Sequence, residues 1–140
     1  MHNIFQIQNV YCAYNNGKPV LEISKLNIPE NKLVFIIGPS GVGKSTLLEA
    51  LGLMNKTAIP RTNSHFLFSS EDHEIKYDFL SIWKKRDVEI SQIRNHHFSF
   101  IFQNTELMAN LSPFENAYIP LLIQGRSKEE ARKEVQEVIH

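Results

Sequence analysis

The chain has 140 residues, with 15 lysines and arginines balancing 15 aspartates and glutamates. That length holds one domain with a real core, and the charge balance excludes bulk electrostatic attraction to nucleic acid or an anionic membrane. The single cysteine, Cys12, excludes an internal disulfide; with no apolar run near the roughly 18 residues of a membrane span and no signal-peptide pattern in MHNIFQIQNV, a cytoplasmic protein is expected.

Residues 3–14 alternate loosely between apolar and polar and read as a strand. Asn15-Asn16-Gly17 is a hairpin signal, since Asn-Gly supplies the positive φ values of a tight turn. Pro19 to Ile23 is the expected return strand and Leu26 to Ile28 a third short piece. Pro29-Glu30-Asn31-Lys32 then forms a turn into Leu33-Val34-Phe35-Ile36-Ile37, a β-branched and aromatic run expected to be one buried strand. Cys12 reads as a small core hydrophobe.

Gly38-Pro39-Ser40-Gly41-Val42-Gly43-Lys44-Ser45 fits the phosphate-loop pattern G-x-x-x-x-G-K-S/T at every fixed position. The glycines let successive backbone N–H groups converge on phosphate oxygens, and a following helix points its N-terminus at the same anion. Lys44 supplies a point charge for the β- and γ-phosphates, and the Ser45 hydroxyl can ligate Mg²⁺. Thr46 to Met54 carries Leu47, Leu48, Leu51 and Met54 at helical spacing, so the motif has its strand–loop–helix context.

Beyond Asn55 the pattern weakens. Lys56 to Ser64 reads as loop, His65 to Phe68 as a short strand, and Ser91 to Asn95 as a helical turn. Trp83-Lys84-Lys85-Arg86 reads as a solvated turn with a partly buried tryptophan rather than a nucleic-acid patch. Phe98 to Phe102 reads as a strand. On a strand, His96 and His97 would point to opposite faces and not share a metal, so both are expected to be structural or surface residues. Ser112-Pro113-Phe114-Glu115 is a capping box with proline at the first helical position. Pro120 is expected to bend or end that helix, and Ser127-Lys128-Glu129-Glu130 opens another.

A hairpin carrying an aromatic, a turn, an apolar strand and then GPSGVGKSTLL resembles the start of an ABC-type ATPase. The resemblance implies an α/β phosphate-loop NTPase fold. An N-terminal antiparallel flap would cover residues 1–32, the core 33–103, and the start of a helical subdomain 104–140. It implies ATP and Mg²⁺ as cofactors. Phosphates would be held by Gly38, Pro39, Ser40, Gly41, Val42, Gly43, Lys44, Ser45 and Thr46, with Tyr14 stacking on the adenine and Tyr11 as the alternative. Phe102-Gln103 resembles the family's glutamine loop, so Gln103 is implied as a Mg²⁺ ligand acting with Lys44 at the γ-phosphate. Asn31 stands where the family usually has glycine, a small departure because asparagine tolerates the left-handed turn. The connector 55–90 is longer than the family pattern.

The run FQNTELMANLSPFENAYIPLLIQGRSKEEARKEV resembles the helical subdomain of the lipoprotein-release, macrolide-export and cell-division branch. That implies a transmembrane partner, received near Leu107, Met108 and Leu111, a second ATP-binding subunit, and a place at the inner face of the cell membrane. The helical core is an equal alternative for those three residues. No L-S-G-G-Q, no apolar strand ending in Asp-Glu and no later switch histidine follows within the 140 residues. The expectation is therefore a truncated chain that binds ATP weakly and does not turn it over. The rival readings are a non-catalytic nucleotide-binding or interaction module, and another phosphate-loop enzyme. A GTPase would want Asn-Lys-x-Asp, which Asn55-Lys56-Thr57-Ala58 does not supply.

Overall fold

Strand β1 (Asn3–Cys12) is the middle of the fold, paired antiparallel on one side with β2 (Leu21–Pro29) and on the other with β3 (Ala58–Ser69). A short β4 (Lys76–Asp78) closes the order β2-β1-β3-β4. The computed structural model describes residues 2–15, 17–70, 75–101 and 107–139, which fall in two units, 1–99 and 100–140. The helices are α1 (Lys44–Leu51), α2 (Asp87–His97), α3 (Pro113–Ile123) and α4 (Lys128–Ile139), with a 3₁₀ turn at Ile82–Lys84.

Alternation along β1 puts Phe5 and Ile7 into the core, and then a bulge shifts the period so that Val10 and Cys12 face it too. At the bulge Asn9 adopts φ 50°, and its amide donates to the Thr62 carbonyl at 3.4 Å. On the facing strand, Asn63 takes φ 55° between Pro60 and His65, which pair with Val10 and Gln8. Asparagine suits both positions because its short polar side chain tolerates left-handed backbone. The core is a phenylalanine cluster: Phe5 lies 5.1 Å from Phe68 and 5.7 Å from Phe79 by ring centroid, and Phe66 lies 5.1 Å from Phe79. Ala50 and Leu51 of α1, Leu53 beyond its end, and Ile90 of α2 complete it. Cys12 is fully buried within this core, and burial pushes its thiol pKa up, as befits a packing residue.

Several elements differ from the sequence expectation. Leu33 to Ile37 forms no ladder, and Leu33 and Ile37 are 83% and 91% exposed. A run apolar on both faces needs a strand on either side and a layer above and below, and none of the described strands pairs with it. Phe98 to Ile101 is likewise not a strand, although Phe98 packs against the phenylalanine cluster. Phe102 and Gln103, like Asn16 in the first hairpin, lie outside the described residues. Strand β3 begins well before His65, because its bulge absorbs the polar residues that read as loop. His96 and His97 end α2 rather than standing on a strand, with ring centroids 4.7 Å apart. Helix α1 stops at Leu51: Leu53 turns left-handed (φ 55°), and the Met54 N–H closes back on the Glu49 carbonyl at 2.9 Å. Asn31 holds the left-handed turn position as expected (φ 53°), and Trp83 is half-buried against the core.

In residues 100–140, α3 and α4 share a small core of Tyr118, Ala131 and Val135. Pro120 lies inside α3 without ending it. It removes one bond, to the Asn116 carbonyl, while Tyr118, Leu121 and Leu122 around it pack into that core. Both expected capping boxes form. The Ser112 backbone N–H and hydroxyl donate to Glu115 at 2.8 Å, and those of Ser127 to Glu130 at 2.9 and 2.7 Å.

These bonds hold both carboxyls below their ordinary value of 4.5. A carboxyl whose folded pKa is lowered stabilises the fold fully above its unfolded pKa and loses that contribution as pH falls through the folded value. The helical circular-dichroism signal is therefore expected to drop as pH falls below about 4.5, and the double variant Ser112→Ala, Ser127→Ala is expected to flatten that acid transition.

Candidate phosphate-binding site

The loop from Gly38 to Gly43 delivers the chain to α1 through two left-handed glycines, Gly41 at φ 80° and Gly43 at φ 97°. Gly43 is also hemmed in: a Cβ there would stand 3.1 Å from the Leu21 Cβ and 3.2 Å from the Val20 carbonyl oxygen. The start of β2 thus braces the loop against the sheet, and both conformation and space close this position to other residues. At Gly38 an added Cβ would crowd the Val42 side chain at 3.1 Å.

Helix α1 begins with no side-chain cap and no acidic residue in its first turn. Its leading N–H groups and positive dipole end therefore have no competing carboxylate, which suits them to an anion. The Lys44 ammonium folds back over the loop, donating to the Gly38 carbonyl at 2.8 Å and the Pro39 carbonyl at 2.6 Å. Pro39, Ser40, Val42 and Ser45 are exposed and Thr46 is buried.

Tyr14 comes to this helix. Its hydroxyl donates to Glu49 Oε2 at 2.7 Å and lies 3.2 Å from Thr46 Oγ1. Since the one phenolic proton goes to Glu49, the Thr46 hydroxyl is the donor in the second bond. Thr46 as donor pulls the Tyr14 pKa down, but the Glu49 acceptor and partial burial outweigh it and the net shift is upward. The ring stays 43% exposed. Tyr11 goes elsewhere: the Arg61 guanidinium sits over its ring at 5.3 Å and pairs with Glu22 at 2.7 Å.

Gln103 lies outside the described residues. In the second unit Leu107 and Met108 are exposed and Leu111 is half-buried. The loop they occupy is gripped by Asn116, whose Oδ1 accepts from the Met108 N–H at 2.8 Å. Its Nδ2 donates to the carbonyls of Met108, Leu111 and Ser112 at 3.0–3.2 Å. The sequence reading missed Asn116 and Glu49. The second had a signal, since Glu49 lies three residues after Thr46 and so on the same helix face.

With this geometry in view, the comparisons with known proteins are decisive. A sequence profile of the family described as ABC transporter matches residues 21–140. The chain belongs to the ABC transporter family. It is 32% identical over 141 residues to the lipoprotein-releasing system ATP-binding protein LolD of Ehrlichia chaffeensis, covering 99% of this chain and 55% of that protein. It is 27% identical over 139 residues to the macrolide export ATP-binding/permease protein MacB of Shewanella sp. strain ANA-3, covering 97% of this chain and 19% of that protein. Among solved structures, the ATP-binding cassette MJ0796, in a dimeric post-hydrolysis state bound to ADP and Pi, superposes with a TM-score of 0.70 at 30% identity. That match covers 95% of this chain and 54% of the cassette. The fold is therefore the α/β fold of these ATPase cassettes, and this ABC chain spans about half the length of its LolD relatives and of the solved cassette.

Alanine at Gly43 is expected to destabilise the chain by about 1–3 kcal/mol, the range for a residue held in disfavoured backbone, with a further loss from overlap with Val20. Urea denaturation of Gly43→Ala beside Gly41→Ala, whose Cβ would meet open space, checks this: Gly43→Ala should be the weaker of the two.

Proposed function

We propose that this chain is the nucleotide-binding part of an ABC transporter ATP-binding protein of the lipoprotein-release and macrolide-export type. One observation carries the reading: left-handed Gly41 and Gly43, an α1 N-terminus free of acidic residues, Lys44 and Tyr14 all meet at one helix. The loop fits a polyphosphate, because its lysine, Lys44, is satisfied by carbonyls on a flexible stem and can turn to an anion in their place. The backbone amides of Gly38 to Thr46 would hold the phosphates and the Ser45 hydroxyl would hold Mg²⁺; Gln103, outside the described residues, is assigned to the metal by the family resemblance alone. Bound there, the metal supplies charge neutralisation of the phosphate oxygens. The Tyr14 ring, fixed at its hydroxyl end, offers its face to adenine.

In the complete transporter ATP hydrolysis would drive a transmembrane partner, received near Leu107, Met108 and Leu111, with a second ATP-binding subunit closing the site. The ADP-bound dimer of the similar cassette supports that arrangement. A peripheral position at the cytoplasmic side of the membrane follows from the same reading. No described helix is long and apolar enough to cross a membrane. Residues 1–32, 33–103 and 104–140 would serve as flap, phosphate-loop core and start of the helical subdomain, the flap sheet also taking in β3 and β4.

Calorimetric titration with ATP, with and without Mg²⁺, tests the proposal. Lys44→Ala is expected to weaken binding at least about tenfold, the scale of one charge-assisted hydrogen bond. Tyr14→Ala should cost roughly 1–3 kcal/mol, the scale of one aromatic–base stack. Phosphate release in the same samples should stay at background, as the 140 residues contain no L-S-G-G-Q run and no apolar strand ending in Asp-Glu. Wild-type chain that binds no ATP would overturn the assignment. Lys44-dependent release would overturn the non-catalytic reading of this chain.

A further inference from the structure

Glu49 is a charged residue on the α1 face that meets the flap, and nothing in the phosphate-loop pattern calls for it. One oxygen, Oε2, accepts from the Tyr14 hydroxyl at 2.7 Å and from the Asn55 amide at 2.8 Å. Asn55 stands just past the end of α1, so the carboxylate is held from a second direction. Thr46, one turn back and only 5% exposed, donates to the same phenolic oxygen. The Tyr14 hydroxyl is therefore fixed between two side chains of the helix that carries Lys44. The rest of the ring stands partly in solvent.

We propose that Glu49 is a positioning residue for base recognition, holding the Tyr14 ring by its hydroxyl so that a ring face is preset for a flat nucleobase. This rests on the reading of Tyr14 as the base contact. A tyrosine free at its tip would pay side-chain entropy on each binding event; a hydrogen-bonded one has paid it in advance. The tie also links the flap to the phosphate-loop helix, so base and phosphates are addressed from one rigid body. Phenylalanine at 14 would keep the stacking face and lose the tie, which separates the two roles of the residue.

The test is calorimetry on the full 140-residue chain with two probes, ATP and inorganic tripolyphosphate, which has the phosphates and no base. Glu49→Ala and Tyr14→Phe are each expected to weaken ATP binding roughly three- to tenfold, the range for one lost hydrogen bond, and to leave tripolyphosphate within about twofold. Glu49→Gln keeps the accepting oxygen and should restore ATP binding to about the wild-type value. The double variant Tyr14→Phe, Glu49→Ala should be no worse than Tyr14→Phe alone, because the Tyr14–Glu49 bond is already gone there. Equal losses for ATP and tripolyphosphate would mean that Glu49 merely supports α1, and would overturn the inference. ATP binding weakened by Tyr14→Ala but unmoved by Glu49→Ala would overturn it while leaving the base contact standing. ATP binding unmoved by Tyr14→Ala would remove the base contact itself and the inference with it. Should Glu49→Ala not fold, Tyr14→Phe against Tyr14→Ala decides: an undiminished Phe variant overturns the inference.

Discussion

The structure depends on where the first hairpin is pinned. At its closed end the Val20 N–H meets the Cys12 carbonyl at 2.8 Å, and the Ala13 N–H meets the Thr57 carbonyl at 3.0 Å. Those two bonds fix three things at once. The chain leaves β1 with Tyr14 aimed at α1. Val20 and Leu21, at the entry to strand β2, lie against Gly43. Strand β3 is locked into the same sheet just after α1 ends. Buried Cys12 and Thr57 at this junction leave it little room to shift.

From that junction the two halves of the site follow different physics. The phosphate loop is shaped by backbone conformation and by crowding at one glycine, terms that any side chain would violate. The Tyr14 end is shaped by side-chain hydrogen bonds on a partly exposed surface. The first set is rigid and indifferent to solvent; the second is worth little per bond and is tuned by its acceptor. The Arg94 guanidinium adds a further brace, donating to the Leu53 carbonyl at 3.1 Å where α1 has ended. Helix α2 thereby supports the end of α1 opposite the loop.

Legibility in the sequence followed the same division. The glycine loop, the Asn31 turn, the buried Cys12 and the serine–glutamate caps of α3 and α4 were readable, because each rests on local chemistry written in a few adjacent residues. Strand β3 was not, since Pro60, Asn63 and the polar residues between them look like loop until a bulge on Asn9 takes them up. Helix α2 was underestimated because Arg86 precedes it without a side-chain cap. Leu33 to Ile37 was legible as a strand fit for a parallel sheet, yet burial is a property of neighbours, and no described strand pairs with it. Glu49 escaped notice because an acidic residue on a helix reads as a solvated face until its tyrosine is found.

The exposed run Leu33 to Ile37 has a colloidal consequence for the 140-residue chain. Five adjacent apolar residues with open backbone on a protein of zero net charge and an isoelectric point near 7.0 meet no long-range repulsion from a second molecule. Added salt has no net repulsion to screen away, and protonation or deprotonation is the lever that remains. Near neutrality the chain carries its least net charge, and a buffer shifted to either side of it lends each molecule the like charge that keeps such runs apart.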